Sequence, residues 1–246
     1  MIHRAFLLNS FLLPPHSLLQ RHMNSDEWTQ SGHRQKLRIG VTGHIGLDPD
    51  TTKMNALLGG VAEVITYLER VFPNSDWIVI SSLAMGADRL LTEALLTQRG
   101  SRLVAVLPMP QNEYAKDFGA TDDLRIDPVG AARRQEFYDW LKERAVEVIE
   151  LPLAPTREKS YQKAGFFIAD HCNVLMAVWD GLPAQGTGGT AEVVHRAVSV
   201  GKPVCHVWAG NYKHDPKKRT NVGKKHGSVR CMNFPGQKPG EWIDLV

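Results

Sequence analysis

The chain reads as an α/β domain: a doubly wound, Rossmann-like sheet, mostly parallel, with helices on both faces. Three observations predict it. Short apolar runs of strand length alternate with amphipathic stretches of helical period from Lys36 to Trp208. Some of these runs are apolar at nearly every position, as strands covered on both faces must be. Glycine-rich turns follow several of them, and regular alternation of strand and helix implies a parallel sheet with flanking helices.

Taken in order, Leu37-Arg-Ile-Gly-Val-Thr-Gly-His44 is a buried strand running into a glycine turn. Asp50 or Thr51 caps the helix that follows. Met54, Leu57, Leu58, Val61, Ile65 and Leu68 give that helix one apolar face, and Pro73-Asn74 ends it. Trp77 to Ser81 is the second strand. A helix begins near Gly86, with Ala87, Leu90, Leu91, Ala94 and Leu95 inward, and Gly100 stops it. Arg102 to Leu107 is the third strand, closed by Pro108 and Pro110. A long polar excursion follows over residues 111–129, of a length usually functional or mobile. Its aromatics, Tyr114 and Phe118, and Asp117 suit a lid, a face that stacks on a base, or a surface loop pinned by its rings.

Ala131 to Arg144 is helical, with Phe137, Trp140 and Leu141 inward, and Val146 to Ile149 is a short strand. Tyr161, Ala164, Gly165, Ile168, Ala169 and Cys172 mark another helix. Val174 to Trp179 is a fully apolar strand. Beyond the loop from Asp180 to Gly189, Val193, Val194, Ala197 and Val198 line a helix that Gly201 closes. Pro203 to Trp208 is the last clear strand. The expected division is a mobile leader over residues 1–35, a Rossmann-like domain over 36–211 and a basic, irregular tail over 212–246.

Composition narrows the class. The 246 residues are 43% hydrophobic and 22% charged, enough for one sizeable core. A net charge of +3 implies no nucleic-acid partner by itself. The tail carries seven Lys and Arg between Lys213 and Arg230; such a run is more commonly a solvated end, so nucleic-acid binding is not expected from it. Three cysteines without a CxxC pair argue against a disulfide framework and for a reducing, cytoplasmic setting. No apolar run reaches about 18 residues, so no membrane partner is expected. His206, His214, His226, Cys205 and Cys231 lack zinc spacing, and neither a metal nor a cofactor is expected. A homo-oligomer is compatible with this composition.

Ligands of open parallel sheets bind outside the carboxyl ends of the strands. Three segments fall there. Gly43 lets backbone approach a bulky anion, and His44 follows it. Ser82, Gly86, Asp88 and Arg89 combine a hydroxyl, a helix start and a guanidinium that could fork a phosphate. Asp88 could equally cap the helix, with Arg89 paired to it or to Glu93. Asp180 opens the third segment, in which Gly188, Gly189, Thr190 and Glu192 present successive N–H groups at a helix start. Glu192 is the candidate catalytic carboxylate, although a negative charge is favoured in a first helical turn anyway.

These segments, Ile39-Gly-Val-Thr-Gly-His44, Ser81-Ser-Leu-Ala-Met-Gly-Ala-Asp-Arg89, Ala169 to Gly181 and Gly188-Gly-Thr-Ala-Glu192, resemble the SLOG superfamily. That group is similar to the LOG phosphoribohydrolases and to the Rossmann-like domain of DNA-processing protein A. The likeness covers roughly residues 37–209. Asn173 to Asp180, Gly189-Thr-Ala-Glu192 and Gly201-Lys-Pro-Val204 are also similar to nucleoside 2-deoxyribosyltransferases. The resemblance implies a Rossmann-like fold and a pocket for nucleotides or nucleotide-derived molecules such as ADP-ribose, which non-enzymatic members sense in bacterial conflict systems. LOG-type enzymes carry a GxGTxxE pattern; here Glu192 follows Thr190 by two residues and Val193 fills the third place. One residue turns a helix by about 100°, so the carboxylate points elsewhere. The expected function is therefore a nucleotide-binding sensor or regulatory module, ahead of hydrolysis or transfer at an N-glycosidic bond.

Overall fold

The computed structural model describes residues 34–123, 125–184, 186–213 and 215–245. The expected leader lies outside the described residues apart from Arg34 and Gln35. The described chain forms an α/β fold around one mixed sheet. Its strands are β1 (Lys36–Gly43), β2 (Asp76–Ser81), β3 (Arg102–Leu107), β4 (Ala145–Glu150), β5 (Val174–Trp179), β6 (Val204–Trp208), β7 (Val229–Met232) and β8 (Trp242–Asp244). They lie in the order β4-β3-β2-β1-β5-β6-β7-β8. The first six are parallel, while β7 and β8 pair antiparallel.

The helices are α1 (Thr51–Val71), α2 (Ala87–Leu96), α3 (Gln111–Tyr114), α4 (Pro128–Asp139), α5 (Arg157–His171) and α6 (Thr190–Ser199). Side chains fix where several begin. Asp50 Oδ1 accepts from Lys53 N at 3.0 Å and Thr156 Oγ1 from Lys159 N at 3.3 Å. Such caps satisfy backbone donors that a first turn leaves unpaired.

β5 shows how the sheet makes two cores. Its residues are all buried, and they alternate between faces with period two. Val174, Met176 and Val178 join Leu57, Val61, Val64 and Leu91 on the α1/α2 side. Leu175, Ala177 and Trp179 join Ile168, Val193 and Val194 on the α5/α6 side. Covering both faces this way leaves the strand ends as the place where loops gather.

Three elements differ from the sequence reading. The helix expected over Ala131 to Arg144 starts earlier, with Pro128 at its first turn and Asp127 capping Gly130 N. It ends in a π turn over Trp140–Arg144, in which the adjacent Trp140 and Leu141 are both buried. The excursion over 111–129 contains α3 and a 3-10 turn, and its rings are pinned. Phe118 stacks on Phe137 at 4.6 Å, and Tyr114 meets Phe137 edge-on at 5.4 Å.

The region read as an irregular tail supplies β7 and β8. Each is only three or four residues long, too short to show a period. Arg230 is part of the packing there: its guanidinium lies 4.4 Å from the Trp208 ring and 4.2 Å from the Trp242 ring, and Nε donates to His206 Nδ1 at 3.0 Å. Charged groups near a sheet edge also discourage pairing with other chains.

Candidate functional site

The chain leaves β1 for one side of the sheet through β2, β3 and β4, then returns to the other side with β5 and β6. Loops at the carboxyl ends of β1 and β5 therefore diverge, which opens a crevice at this switch point. A cleft of about 780 Å³ occupies it, lined by residues from the β1, β2, β3, β5 and β6 ends. That volume falls within the usual range for small-molecule sites.

The floor is made by backbone ties that glycine permits. His44 N donates to Val178 O at 3.1 Å, and Ala87 N donates to His44 O at 3.0 Å. The end of β1 is thereby clamped between β5 and the first residue of α2. A Cβ on Gly43 would strike Ala87 Cβ and Val178 O, so the clamp excludes any larger residue. Gly86 has φ +82°, and a Cβ there would meet Ile45 O. Beside it, Leu83 is a fully buried non-glycine residue at φ +56°, with its N–H donating to Ser81 Oγ at 3.0 Å. Backbone held in this region concentrates at functional sites.

Asp88 lies in the first turn of α2, is 7% exposed and faces the cleft. Burial pushes its carboxyl up to about 7, against the opposing pull of the Ala84 and Gly43 backbone N–H groups. Asp180, at the end of β5, is the opposite case. Burial would raise it, but bonds from His44, Thr220 and the Leu182 N–H outweigh burial and hold it at about 2. Its Oδ2 accepts from Thr220 Oγ1 at 2.7 Å and Oδ1 from Leu182 N at 3.1 Å. His44 Nε2 stands 3.1 Å from Asp180 N and 3.4 Å from Asp180 Oδ2. A neutral ring protonated on Nδ1 accepts from the amide; an imidazolium donates to the carboxylate.

The third wall is the loop into α6. Gly188 has φ +83°, and its Cβ position is closed by the Glu158 carbonyl. Gly189 is the N-cap of α6 and supplies no side-chain cap; Gly189, Thr190 and Ala191 line the cleft at this helix start, while the Glu192 N–H donates to Gly189 O at 3.0 Å. Helix N-termini of this kind attract anions.

Of the residues expected from sequence, Gly43, His44, Ser82, Asp88, Asp180, Gly188, Gly189 and Thr190 line this one cleft. Gly86 shapes the floor from behind. Arg89 does not line it. Its Nη1 pairs with Glu136 Oε2 at 2.7 Å, its Nε donates to Leu83 O at 3.1 Å, and the guanidinium covers Phe118 at 4.8 Å. The partner is neither Asp88 nor Glu93 but a residue on α4. Glu192 also lies outside the lining. Its Oε2 accepts from Gly188 N at 2.6 Å, and both oxygens accept from Gln162 Nε2 at 3.1 Å.

The sequence reading named Tyr114, Asp117 and Phe118 for the long loop but missed Tyr161, Asn211, Tyr212 and Lys213 as wall residues. Tyr161 on α5 donates to Asp117 Oδ2 at 2.7 Å, and Arg157 donates to Asp117 Oδ1 and, at 3.2 Å, to Tyr161 OH. Asp117 and Tyr161 line the cleft beside Tyr114 and Phe118. Asn211, Tyr212 and Lys213 close the far side. Asn211 N donates to the same Thr220 Oγ1 that reaches Asp180, at 2.8 Å, and Tyr212 N donates to Gly46 O at 2.9 Å. Tyrosines spaced among polar residues were the available signal, but only the fold brings them to one edge.

No family model matches the chain, and no curated protein matches it. Among solved structures it is similar to the X-ray structure of TM1055, a structural-genomics target. The identity is 15%, over 68% of this chain and 72% of that one, with a TM-score of 0.38. A likeness at that score adds nothing to the fold that the strand order defines. Among the described residues, no helix is long and apolar enough to cross a membrane.

Proposed function

We propose that the chain binds a nucleotide or nucleotide-derived ligand, of the ADP-ribose kind, as a sensor or regulatory module. The observation that carries this reading is the convergence of three glycine-containing loops on one cleft at the switch point of the sheet. Phosphate oxygens would meet the backbone N–H groups at the start of α6. Tyr161, half-buried at the cleft edge, suits a base or ribose face, with the buried Tyr114 and Phe118 rings packed behind it. Of the cleft-lining residues, Lys213 is cationic, whereas Asp88, Asp117 and Asp180 are acidic. Anion binding in this reading therefore rests on backbone dipoles more than on side-chain charge. The SLOG-like motifs support the same assignment, with those segments forming the cleft floor and the α6 loop.

The orientation of Glu192 favours sensing over cleavage. Its carboxylate is taken up by Gly188 N and Gln162 and does not line the cleft. One observation favours the second reading, hydrolysis or transfer at an N-glycosidic bond. Asp88 is a buried, cleft-lining carboxyl that titrates near 7, where an acid–base group works best.

Incubation with AMP, ATP, NAD, ADP-ribose and deoxynucleosides, followed by chromatography, separates the two. A sensor returns every ligand intact. Release of free base at a rate abolished by Asp88→Asn would overturn the sensor assignment in favour of the enzyme.

A further inference from the structure

Outside the cleft, Cys205 and Cys231 form a contact that the cleft does not use. They stand directly opposite each other across the antiparallel β6–β7 pair. Both are fully buried, and their sulfurs are 2.9 Å apart. Opposed residues of antiparallel strands have Cα atoms about 4.5–5.5 Å apart, inside the range of about 4.4–6.8 Å that a disulfide spans. The backbone therefore already holds both cysteines where a bond between them needs little movement. Cys172, the third cysteine, is buried in the other core, against Gly40, and belongs to a separate cluster.

We propose that Cys205 and Cys231 are a redox-modification site, at which a peroxide-class oxidant converts two thiols into an intramolecular disulfide that fixes one wall of the cleft. The bond would join residues 26 apart in sequence. Within the closed loop lie Asn211, Tyr212 and Lys213, which line the cleft, and Thr220, whose hydroxyl binds Asp180. The bond would tie covalently the two strands, β6 and β7, that carry that loop, and remove from the unfolded chain the freedom of the segment between them. The bond itself does not depend on what the cleft binds.

The step balances in two stages. One cysteine, as thiolate, attacks a peroxide oxygen. The O–O bond breaks, and the leaving hydroxide takes up a proton to become water. The resulting sulfenic acid is attacked at sulfur by the second thiolate. The S–O bond breaks, the S–S bond forms, and the leaving hydroxide takes up a proton released when the thiols ionised, giving a second water. In sum, two thiols and one hydrogen peroxide give one disulfide and two waters. Burial pushes the Cys205 thiol well above its ordinary range, so little thiolate exists in the closed sheet. Reaction then needs local opening of the β7–β8 edge, whose strands are four and three residues long.

The full chain, with and without prolonged exposure to hydrogen peroxide, is denatured, alkylated and weighed intact, then digested and mapped. Before oxidation, three alkyl groups are expected. Afterwards one is expected, on Cys172, with a Cys205–Cys231 cross-linked peptide and slower amide exchange across residues 209–223. Cys231→Ala should lose the cross-link; if that variant does not fold, the wild-type peptide map decides alone. Three alkyl groups after oxidation, a cross-link to Cys172 or between chains, or oxidation that stops on one sulfur would overturn the proposal.

Discussion

The Glu192 carboxylate and the Gly188 amide are bonded to each other: Oε2 accepts from Gly188 N at 2.6 Å, across one turn at the start of α6. The carboxylate braces the loop that a phosphate would meet, and Gln162 holds it from α5. Glu192→Ala should therefore destabilise the fold by about 1–3 kcal/mol, the usual cost of losing a charged hydrogen-bond partner. Urea denaturation measures this. An unchanged midpoint would show that the brace contributes nothing.

Asp180 and Thr220 make stability depend on acidity. Asp180 is held at about 2, below its ordinary 3.8, so the folded state binds its proton less tightly than the unfolded chain. Its contribution is present above pH 3.8 and is lost as pH falls through 2. Thr220→Val removes the 2.7 Å bond and lets the carboxyl rise toward 3.8. The variant should be less stable at neutral pH by about 1–3 kcal/mol, with a smaller difference from wild type below pH 2. Denaturation at both pH values checks the sign.

Asp88 has the opposite linkage. Its folded value is raised from 3.8 to about 7 by burial, so its protonated form is favoured in the fold. The stability it contributes is full below pH 3.8 and is lost as pH rises through 7. Asp88→Asn cannot ionise, so wild type should lose stability relative to the variant between pH 4 and 7. Parallel stability profiles for the two proteins would contradict this.

The glycines should divide by backbone. Gly86 sits at φ +82° with its Cβ position closed by Ile45 O, and Gly86→Ala should cost about 2 kcal/mol or more. Gly189 has φ −85°, and only Gly186 O lies within 4 Å of an added Cβ. Gly189→Ala should cost under about 1 kcal/mol, reflecting only the weaker cap. Thermal unfolding of the pair gives the contrast.

The sheet from β1 to β6 was legible because each strand and helix carries its own local signal. The runs over Val174–Trp179 and the stripe from Val193 to Val198 are periodic without reference to anything distant. The glycine segments were legible for the same reason, since the switch point gathers the ends of β1, β2 and β5 at one place. Pairings across the chain were not. Arg89 finds Glu136 on α4, and Asp180 finds Thr220 forty residues on. Neither separation leaves a pattern in the sequence. β7 and β8 were hidden by brevity and by Arg230, a residue that reads as tail until Trp208 and Trp242 enclose it.

The central claim is that a nucleotide occupies the cleft, and thermal unfolding against a nucleotide panel tests it most directly. A ligand at 100 times its dissociation constant stabilises by about 2.7 kcal/mol, a shift of roughly 5–10 °C for a domain of this size. At least one phosphorylated ligand should produce that shift in the wild type and not in Gly189→Trp, whose ring would fill space beside the α6 loop. No shift with any ligand, or an equal shift in the folded variant, would contradict the account.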